Sequence, residues 1–210
     1  MHFLITAGGT REYIDPVRFI TNASSGKMGY ALAQVAINAG HKVTLITAPT
    51  NLKTPEGVKV VNVETAAQMF EAVKARLPNV DCLIMAAAVS DYTPLYPTKS
   101  KMKKTGRIKT IKLKPTEDIL KWAGKNKKEG QLIVGFALED KDLLDRAEKK
   151  MKNKNLDMII ANTPDAIAAE KSTVHIKTPN SDWTRIEKAD KPTIARETIA
   201  LIEGFLSKGR

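Results

Sequence analysis

The sequence is short of cysteine, aromatic side chains and long apolar runs, and each shortage excludes something. Its one cysteine, Cys82, rules out an internal disulfide and fits a reducing compartment. No apolar stretch nears the ~20 residues that span a bilayer, so no membrane partner is expected. The opening Met1-His2-Phe3-Leu4-Ile5-Thr6 has no basic leader and runs into glycines. It reads as a buried first strand, and the expected address is cytoplasmic. Aromatic residues make up 5%, which leaves few stacking platforms for single-stranded nucleic acid. There is no internal repeat and no low-complexity linker. Acid is in deficit: 34 Lys and Arg face 23 Asp and Glu, for a net charge of +11. Such an excess suggests a polyanion, either nucleic acid or a phosphorylated small molecule, although a solvated lysine surface accounts for most of it.

What is present is the composition of a globular chain. Hydrophobic residues make up 42% and charged residues 27% of 210, enough for one domain over residues 1–210 with its own core. Short apolar runs alternate with helical periods. Residues 3–7, 43–47, 82–86, 132–136 and 158–161 read as strands, apolar throughout and therefore buried on both faces as in a parallel sheet. Residues 26–39, 65–77, 118–125, 143–152 and 194–206 read as helices. Ser24-Ser25 is expected to cap the first and Gly40 to stop it, while Ile194, Ile199, Ile202 and Leu206 are expected to pack the last. Residues 174–176 and 183–186 alternate around Pro179-Asn180-Ser181-Asp182, as an antiparallel hairpin or edge does. The order predicts an α/β fold: a Rossmann-like, doubly wound, mostly parallel sheet with a small antiparallel C-terminal hairpin.

Two stretches depart from that pattern. Residues 93–114 hold Lys99, Lys101, Lys103, Lys104, Arg107, Lys109, Lys112 and Lys114, with Pro94 and Pro97 in the first half. Like charges repel and nothing apolar recurs, so 93–107 is expected to be a mobile basic flap, with 108–113 able to form a strand. A long loop after a central strand sits where α/β folds bind ligands. The first strand-to-helix connection is also unusual. Gly8-Gly9-Thr10 is followed by a long insertion, and the helix begins only at Ser24-Ser25-Gly26-Lys27-Met28-Gly29. Backbone amides bared by small residues suit a phosphate or carboxylate. Equally, Gly26 and Gly29 could serve only to let helix and sheet approach. Gly26-Lys27 does not make a P-loop, because the upstream glycine spacing is missing and Met28 replaces the magnesium-binding Ser or Thr.

Further motifs follow in order. They are Gly8-Gly9-Thr10-Arg11-Glu12, Asp15-Pro16-Val17-Arg18-Phe19-Ile20-Thr21-Asn22, the serine–glycine element, Ala86-Ala87-Ala88-Val89-Ser90-Asp91-Tyr92, Lys101-Met102-Lys103-Lys104, Val134-Gly135-Phe136-Ala137 and Lys154-Asn155-Leu156-Asp157. Together they resemble phosphopantothenoylcysteine synthetase over about residues 3–162. The resemblance implies a ligase of coenzyme A synthesis that joins 4′-phosphopantothenate to L-cysteine. The pantothenate carboxylate attacks the α-phosphate of CTP, pyrophosphate leaves, and the cysteine amine displaces CMP from the acyl-cytidylate. Mg2+ would come with the nucleotide, without a metal site of the protein's own. The chain looks like a stand-alone synthetase, so no flavin is expected. A homodimer is implied in which the partner contributes to the substrate site, with no nucleic acid bound.

The same resemblance assigns roles. Asn22 would donate to the acyl oxyanion, Arg18 would clamp a phosphate or carboxylate, and Lys101 on the flap would follow the triphosphate. Nucleotide contacts would come from Gly8, Gly9, Thr10, Ser24, Ser25, Gly26, Met28 and Gly29, then from Ala87 and Asp91. Further contacts would come from Thr116, Glu117, Asp118 and Ile119, and from Phe136, Lys150 and Lys154. By chemistry alone, Asn22 fits a turn, Arg18 a surface ion pair, Asp91 a turn or cap and Phe136 a core. Lys150 and Lys154 equally complement a helix C-terminus. Thr116-Glu117-Asp118-Ile119 stands where the family often has Asn-Pro-Asp-Ile, and Thr116 is expected to cap the next helix. Two rivals remain at this point. The fold suggests a nicotinamide-dependent reductase, weakened by the absence of G-x-G-x-x-G after the first strand. The charge suggests a nucleic-acid binder, weakened by scarce aromatics.

Overall fold

The computed structural model describes residues 1–167 and 169–208, with side chains 206–208 excepted, so the expected packing of Leu206 lies outside the described residues. β1 (His2–Ala7) leads to a hairpin of β2 (Arg11–Tyr13) and β3 (Phe19–Thr21) before α1 (Lys27–Asn38), β4 (Lys42–Thr47) and β5 (Lys59–Asn62). α2 (Ala66–Arg76) returns the chain to β6 (Cys82–Met85), which is followed by β7 (Tyr92–Pro94), the basic loop, β8 (Leu113–Pro115) and α3 (Ile119–Asn126). β9 (Leu132–Leu138), α4 (Leu143–Asn153), β10 (Met158–Asn162), β11 (Lys171–Lys177), β12 (Thr184–Asp190) and α5 (Lys191–Lys208) complete it.

Eight strands make one sheet in the order β12-β11-β10-β9-β6-β1-β4-β5. From β5 to β10 every pairing is parallel, and β11 and β12 are added antiparallel. The chain therefore winds outward from β1 through β4, crosses back to β6 and winds the other way. The reversal lies between β1 and β6, where such sheets open a crevice at their carboxyl ends.

Alternate residues of the strands feed two cores. Phe3, Ile5, Leu45, Ile84 and Ile160 pack beneath α1 and α5 with Leu32, Ala36, Ile194 and Ile199. Leu4, Ile46, Leu83, Ile133 and Ile159 pack on the other face beneath α2, α3 and α4 with Met69, Val73, Ala123 and Met151. Burial on both faces is the physical reason for the unbroken apolar strands. Each large side chain buried there contributes about 1.5–3 kcal/mol.

The structure corrects several local expectations. β5 and the two small hairpins are elements of three or four residues, too short to show a period. The strand expected at 108–113 falls instead at Leu113–Pro115, where Pro94 pairs with Leu113 and Thr93 with Lys114. α1 has Gly26 as its N-cap at φ 77°, with no side-chain cap. The Ser24 hydroxyl accepts only from the Gly26 amide, at 3.3 Å. Asp118, not Thr116, caps α3 by accepting from the Lys121 amide at 3.0 Å. The Thr116 hydroxyl donates instead to the Ser90 carbonyl at 2.7 Å.

Candidate functional site

A cleft of about 800 Å³ opens at the carboxyl ends of β6, β9 and β10, beside the start of α1. The β3–α1 connection brings Asn22, Ser24, Ser25, Gly26 and Met28 to it. Ala87 and Asp91 come from the segment after β6, and Thr116, Glu117, Asp118 and Ile119 from the β8–α3 connection. Phe136 enters from β9, and Lys150 and Lys154 from α4. Another hollow of about 860 Å³, lined by Thr47, Asn62, Glu64 and Glu71 among others, holds none of the expected site residues.

Gly8, Gly9, Thr10 and Gly29 were expected to touch the nucleotide, but they do not line the cleft. They stand behind it and shape it. The Ala88 amide donates to the Gly8 carbonyl at 2.9 Å, and the Thr10 amide to the Ala88 carbonyl at 3.2 Å. The Ser90 amide donates to the Thr10 hydroxyl at 2.9 Å. These bonds stitch residues 86–91 to the end of β1. A side chain at Gly9 would meet the Asn22 carbonyl at 2.8 Å, and one at Gly29 would meet the Ala7 Cβ at 2.6 Å. Close approach of neighbouring backbone and side chains therefore requires glycine at both positions.

Asn22 spans the mouth between two connections. Its Nδ2 donates to the carbonyls of Ala88 and Val89, at 3.2 Å each. Both bonds are at the long end of the normal range, and both acceptors are neutral.

The α4 wall is more tightly built. Lys150 Nζ donates to the Phe136 carbonyl at 2.8 Å. Burial, and then the neighbouring Lys154 charge, push the Lys150 ammonium below its ordinary value. Lys154 pairs with Asp118 at 2.8 Å. Burial opposes ionisation of Asp118, but the Lys154 ammonium and the Lys121 amide outweigh it and hold the carboxyl below its usual range. The approach of α3 to the end of α4 depends on Gly124, where a Cβ would lie 1.8 Å from the Lys154 carbonyl.

Two cations of the cleft were not singled out from the sequence. Lys27 lies inside the serine–glycine motif, so its motif was the available signal. Lys191 opens α5 far along the chain, and only tertiary structure reveals it. Its Nζ donates to the Ala166 carbonyl at 2.8 Å. Burial, and then the Lys27 charge, lower its pKa.

Arg18 and Lys101 do not line this cleft. Arg18 Nε donates to Asp15 Oδ2 at 2.9 Å, and its Nη2 bonds the same oxygen and, at 2.8 Å, the Met102 carbonyl. The guanidinium is thus engaged, and it touches the flap. The Arg18 bond holds the Asp15 carboxyl far below the usual range, against the burial that opposes ionisation and with help from the amides of Val17, Met102 and Arg18. The flap expected to be mobile has anchors, since the Thr98 amide also donates to the Ile14 carbonyl at 2.9 Å.

Among the described residues no group of three His, Cys, Asp or Glu is placed to hold a metal ion. Asp91 and Glu117 are exposed carboxylates on the cleft. One such group suffices for a magnesium ion carried on phosphate oxygens. The β2–β3 hairpin separates β1 from α1, so the direct turn that a dinucleotide fold uses does not occur here.

Residues 1–205 match the family described as DNA/pantothenate metabolism flavoprotein C-terminal domain. The chain is 51% identical over 162 residues to the coenzyme A biosynthesis bifunctional protein CoaBC of Bacillus subtilis, covering 77% of this chain and 40% of the relative. It is 38% identical over 201 residues to the CoaBC protein of Borreliella burgdorferi, covering 95% of this chain and 51% of the relative. The chain thus spans about half the length of these curated relatives, or less. A crystal structure of the C-terminal domain of a CoaBC protein superposes with a TM-score of 0.85 at 42% identity, covering 99% of this chain and 96% of that one.

Proposed function

The chain belongs to the DNA/pantothenate metabolism flavoprotein C-terminal domain family, and on that premise we propose that it is a phosphopantothenate–cysteine ligase that uses CTP. The observation that carries the reading is the meeting of Asn22, Phe136, Lys150 and Lys154 in one cleft at the reversal of the sheet. Those residues supply an amide donor, an aromatic face and two cations, which an acyl-nucleotide requires.

The reaction has two displacements. A carboxylate oxygen of 4′-phosphopantothenate attacks the α-phosphorus of CTP, the bond to the bridging oxygen breaks, and pyrophosphate departs. The amine of L-cysteine then attacks the acyl carbon, CMP leaves, and the amine gives up a proton as the amide forms. Lys150 and Lys154 stand on one wall to neutralise phosphate oxygens, with Lys27 and Lys191 on the α1–α5 side. Phe136 offers its face to the base. Asn22 exchanges a long bond to a neutral carbonyl for a charged oxygen, which is the stronger acceptor. Magnesium bound to the triphosphate would supply further neutralisation, with Asp91 as the nearby carboxylate.

A homodimer completes the reading. Arg18 and the flap lie outside their own cleft and beside exposed apolar side chains, including Val17 at 57%, Tyr96 at 76% and Ile111 at 42% exposure. A second copy that covers this face would bring Arg18 and Lys101 toward its own substrates. No helix of the described residues is long and apolar enough to cross a membrane, and the proposed setting is the cytoplasm, where the triphosphate is made.

The test is pyrophosphate release with CTP, magnesium and phosphopantothenate, followed by CMP release on adding cysteine. CTP is expected to give a higher kcat/KM than ATP. Equal turnover with ATP overturns the CTP assignment alone, whereas no release with either nucleotide overturns the ligase.

A further inference from the structure

We propose that Asp15 is a positioning residue that fastens the middle of the basic flap to the β2–β3 hairpin, so that Arg18 and Lys101 are presented to the reaction as one unit. The inference rests on the ligase reading for its consequence, but on geometry for the fastening itself.

The Asp15 side chain is fully buried, and both oxygens are occupied. Oδ1 accepts from the amides of Val17 and Arg18 at 2.9 Å each, which shapes the hairpin turn. Oδ2 accepts from the Arg18 guanidinium and, across 87 residues of chain, from the Met102 amide at 3.1 Å. Arg18 Nη2 returns to the Met102 carbonyl at 2.8 Å. Both polar groups of residue 102 are therefore held, one by the carboxylate and the other by its guanidinium partner. A buried charge that accepts this many bonds makes each of them stronger than a neutral one.

The choice of a backbone group as the flap's contact has a consequence. Had Asp15 taken Lys101 or Lys103, the flap would be tethered by neutralising a cation it presents. Held at the peptide of Met102, the chain is fixed in place while both flanking ammoniums stay exposed and available to phosphate. Arg18 satisfies the buried carboxylate, so Asp15 does not draw the lysines inward. Without the fastening, like-charge repulsion among Lys99, Lys101, Lys103 and Lys104 would spread the loop, and Lys101 would have to be ordered at each turnover.

Trypsin cleavage of the full chain, without ligands, reads the fastening directly. Asp15→Asn keeps the shape but removes the charge and sets an amide NH2 against N–H donors that the carboxylate accepted. Cutting after Lys101 and Lys103 is expected to speed up about tenfold or more, since cleavage follows the open population. Arg18→Lys should act in the same direction and serves if Asp15→Asn fails to fold. Met102→Ala should leave the rate unchanged, because the bonds that hold it run to its backbone. In pyrophosphate release, Asp15→Asn should lower kcat about tenfold while the KM for CTP stays within a small factor, the split expected of lost positioning. Unchanged cleavage in Asp15→Asn and Arg18→Lys overturns the proposal. Faster cleavage in a protein that releases no pyrophosphate with CTP or ATP would leave the fastening standing and remove the ligase reading.

Discussion

The α4 wall of the cleft and the hairpin–flap face carry similar charge but are built on opposite plans. On the wall, Lys150 and Lys154 each have a fixed partner, the Phe136 carbonyl and the Asp118 carboxylate. They rise from a helix that is packed on the sheet through Ala147 and Met151. On the flap, Lys101, Lys103 and Lys104 are held through the chain that carries them, by the amide of Thr98 and by both the amide and the carbonyl of Met102. The wall is organised before any ligand arrives, as a site for a large anion should be. The flap has its position set in one place and its charges left open. Asn22 stands between the two regions, on the connection that runs from the hairpin into α1.

The largest effect is therefore expected at that junction. Asn22→Ala should lower the overall rate by roughly 10²–10³-fold if its amide meets the acyl oxyanion. The melting temperature should fall little, because two long bonds to neutral carbonyls are lost at an exposed position. Pyrophosphate release and melting, measured on the same preparation, decide the point. Near-normal turnover would reduce Asn22 to a strap that ties the β3–α1 connection to the carbonyls of Ala88 and Val89.

A second test sets the exposed face against the packed one. Ile20→Asp combined with Ile111→Asp puts charge into the apolar patch, where both side chains are exposed in the single chain. If that face joins two copies, sedimentation should show the dimer weakened by about 2 kcal/mol or more. Activity should fall at low protein concentration and recover as concentration rises. A variant that sediments as the wild type does would place the dimer contact elsewhere.

The wall itself can be broken at Gly124. An alanine there would put a methyl group 1.8 Å from the Lys154 carbonyl, so α3 and the end of α4 must separate. Against a gain in helix propensity, a net loss of about 1–3 kcal/mol is expected from overpacking, read as a lower denaturant midpoint. The KM for nucleotide should rise with it, since Lys154 and Asp118 sit on the two sides of that contact.

The two regions also differ in what the sequence makes legible. The strands and helices of the sheet announce themselves because burial on both faces demands unbroken apolar runs, as at residues 82–85 and 132–138. The wall residues are found for a related reason: Lys150 and Lys154 lie one turn apart at the end of a periodic helix. The hairpins are too short to have a period, and the anchoring of Met102 depends on a carboxylate 87 residues away. Nothing local marks such a pairing, and composition alone suggests a mobile loop. Lys191 was missed for the same reason, because the antiparallel β11–β12 hairpin carries α5 back beneath the cleft. Gly8 and Gly9 stand behind the cleft and do not line it. Gly8 sits at φ 81° and a side chain at Gly9 would meet the Asn22 carbonyl at 2.8 Å, so both are fixed by tertiary neighbours that no local pattern shows.

The smallest effect tests how far the wall's order depends on charge. Asp118 does two things: it caps α3 and it holds Lys154. Asn caps a helix as well as Asp does, so Asp118→Asn removes the charge and leaves the cap. The Asp118 carboxyl titrates below its usual value in the folded chain. A depressed carboxylate contributes stability that is complete above its unfolded pKa of about 3.9 and is lost as the pH falls through the lower folded value. The pair is partly open to solvent, which screens it, so its worth is within about 1 kcal/mol. Near neutrality the variant should therefore be less stable than the wild type by no more than that. The two midpoints should converge as the pH falls through the lowered folded value of the wild-type carboxyl, which then also takes up a proton. High salt at neutral pH should narrow the gap in the same way. A gap that persists in acid and in salt would mean that shape and hydrogen bonding, rather than charge, hold Lys154 to the wall.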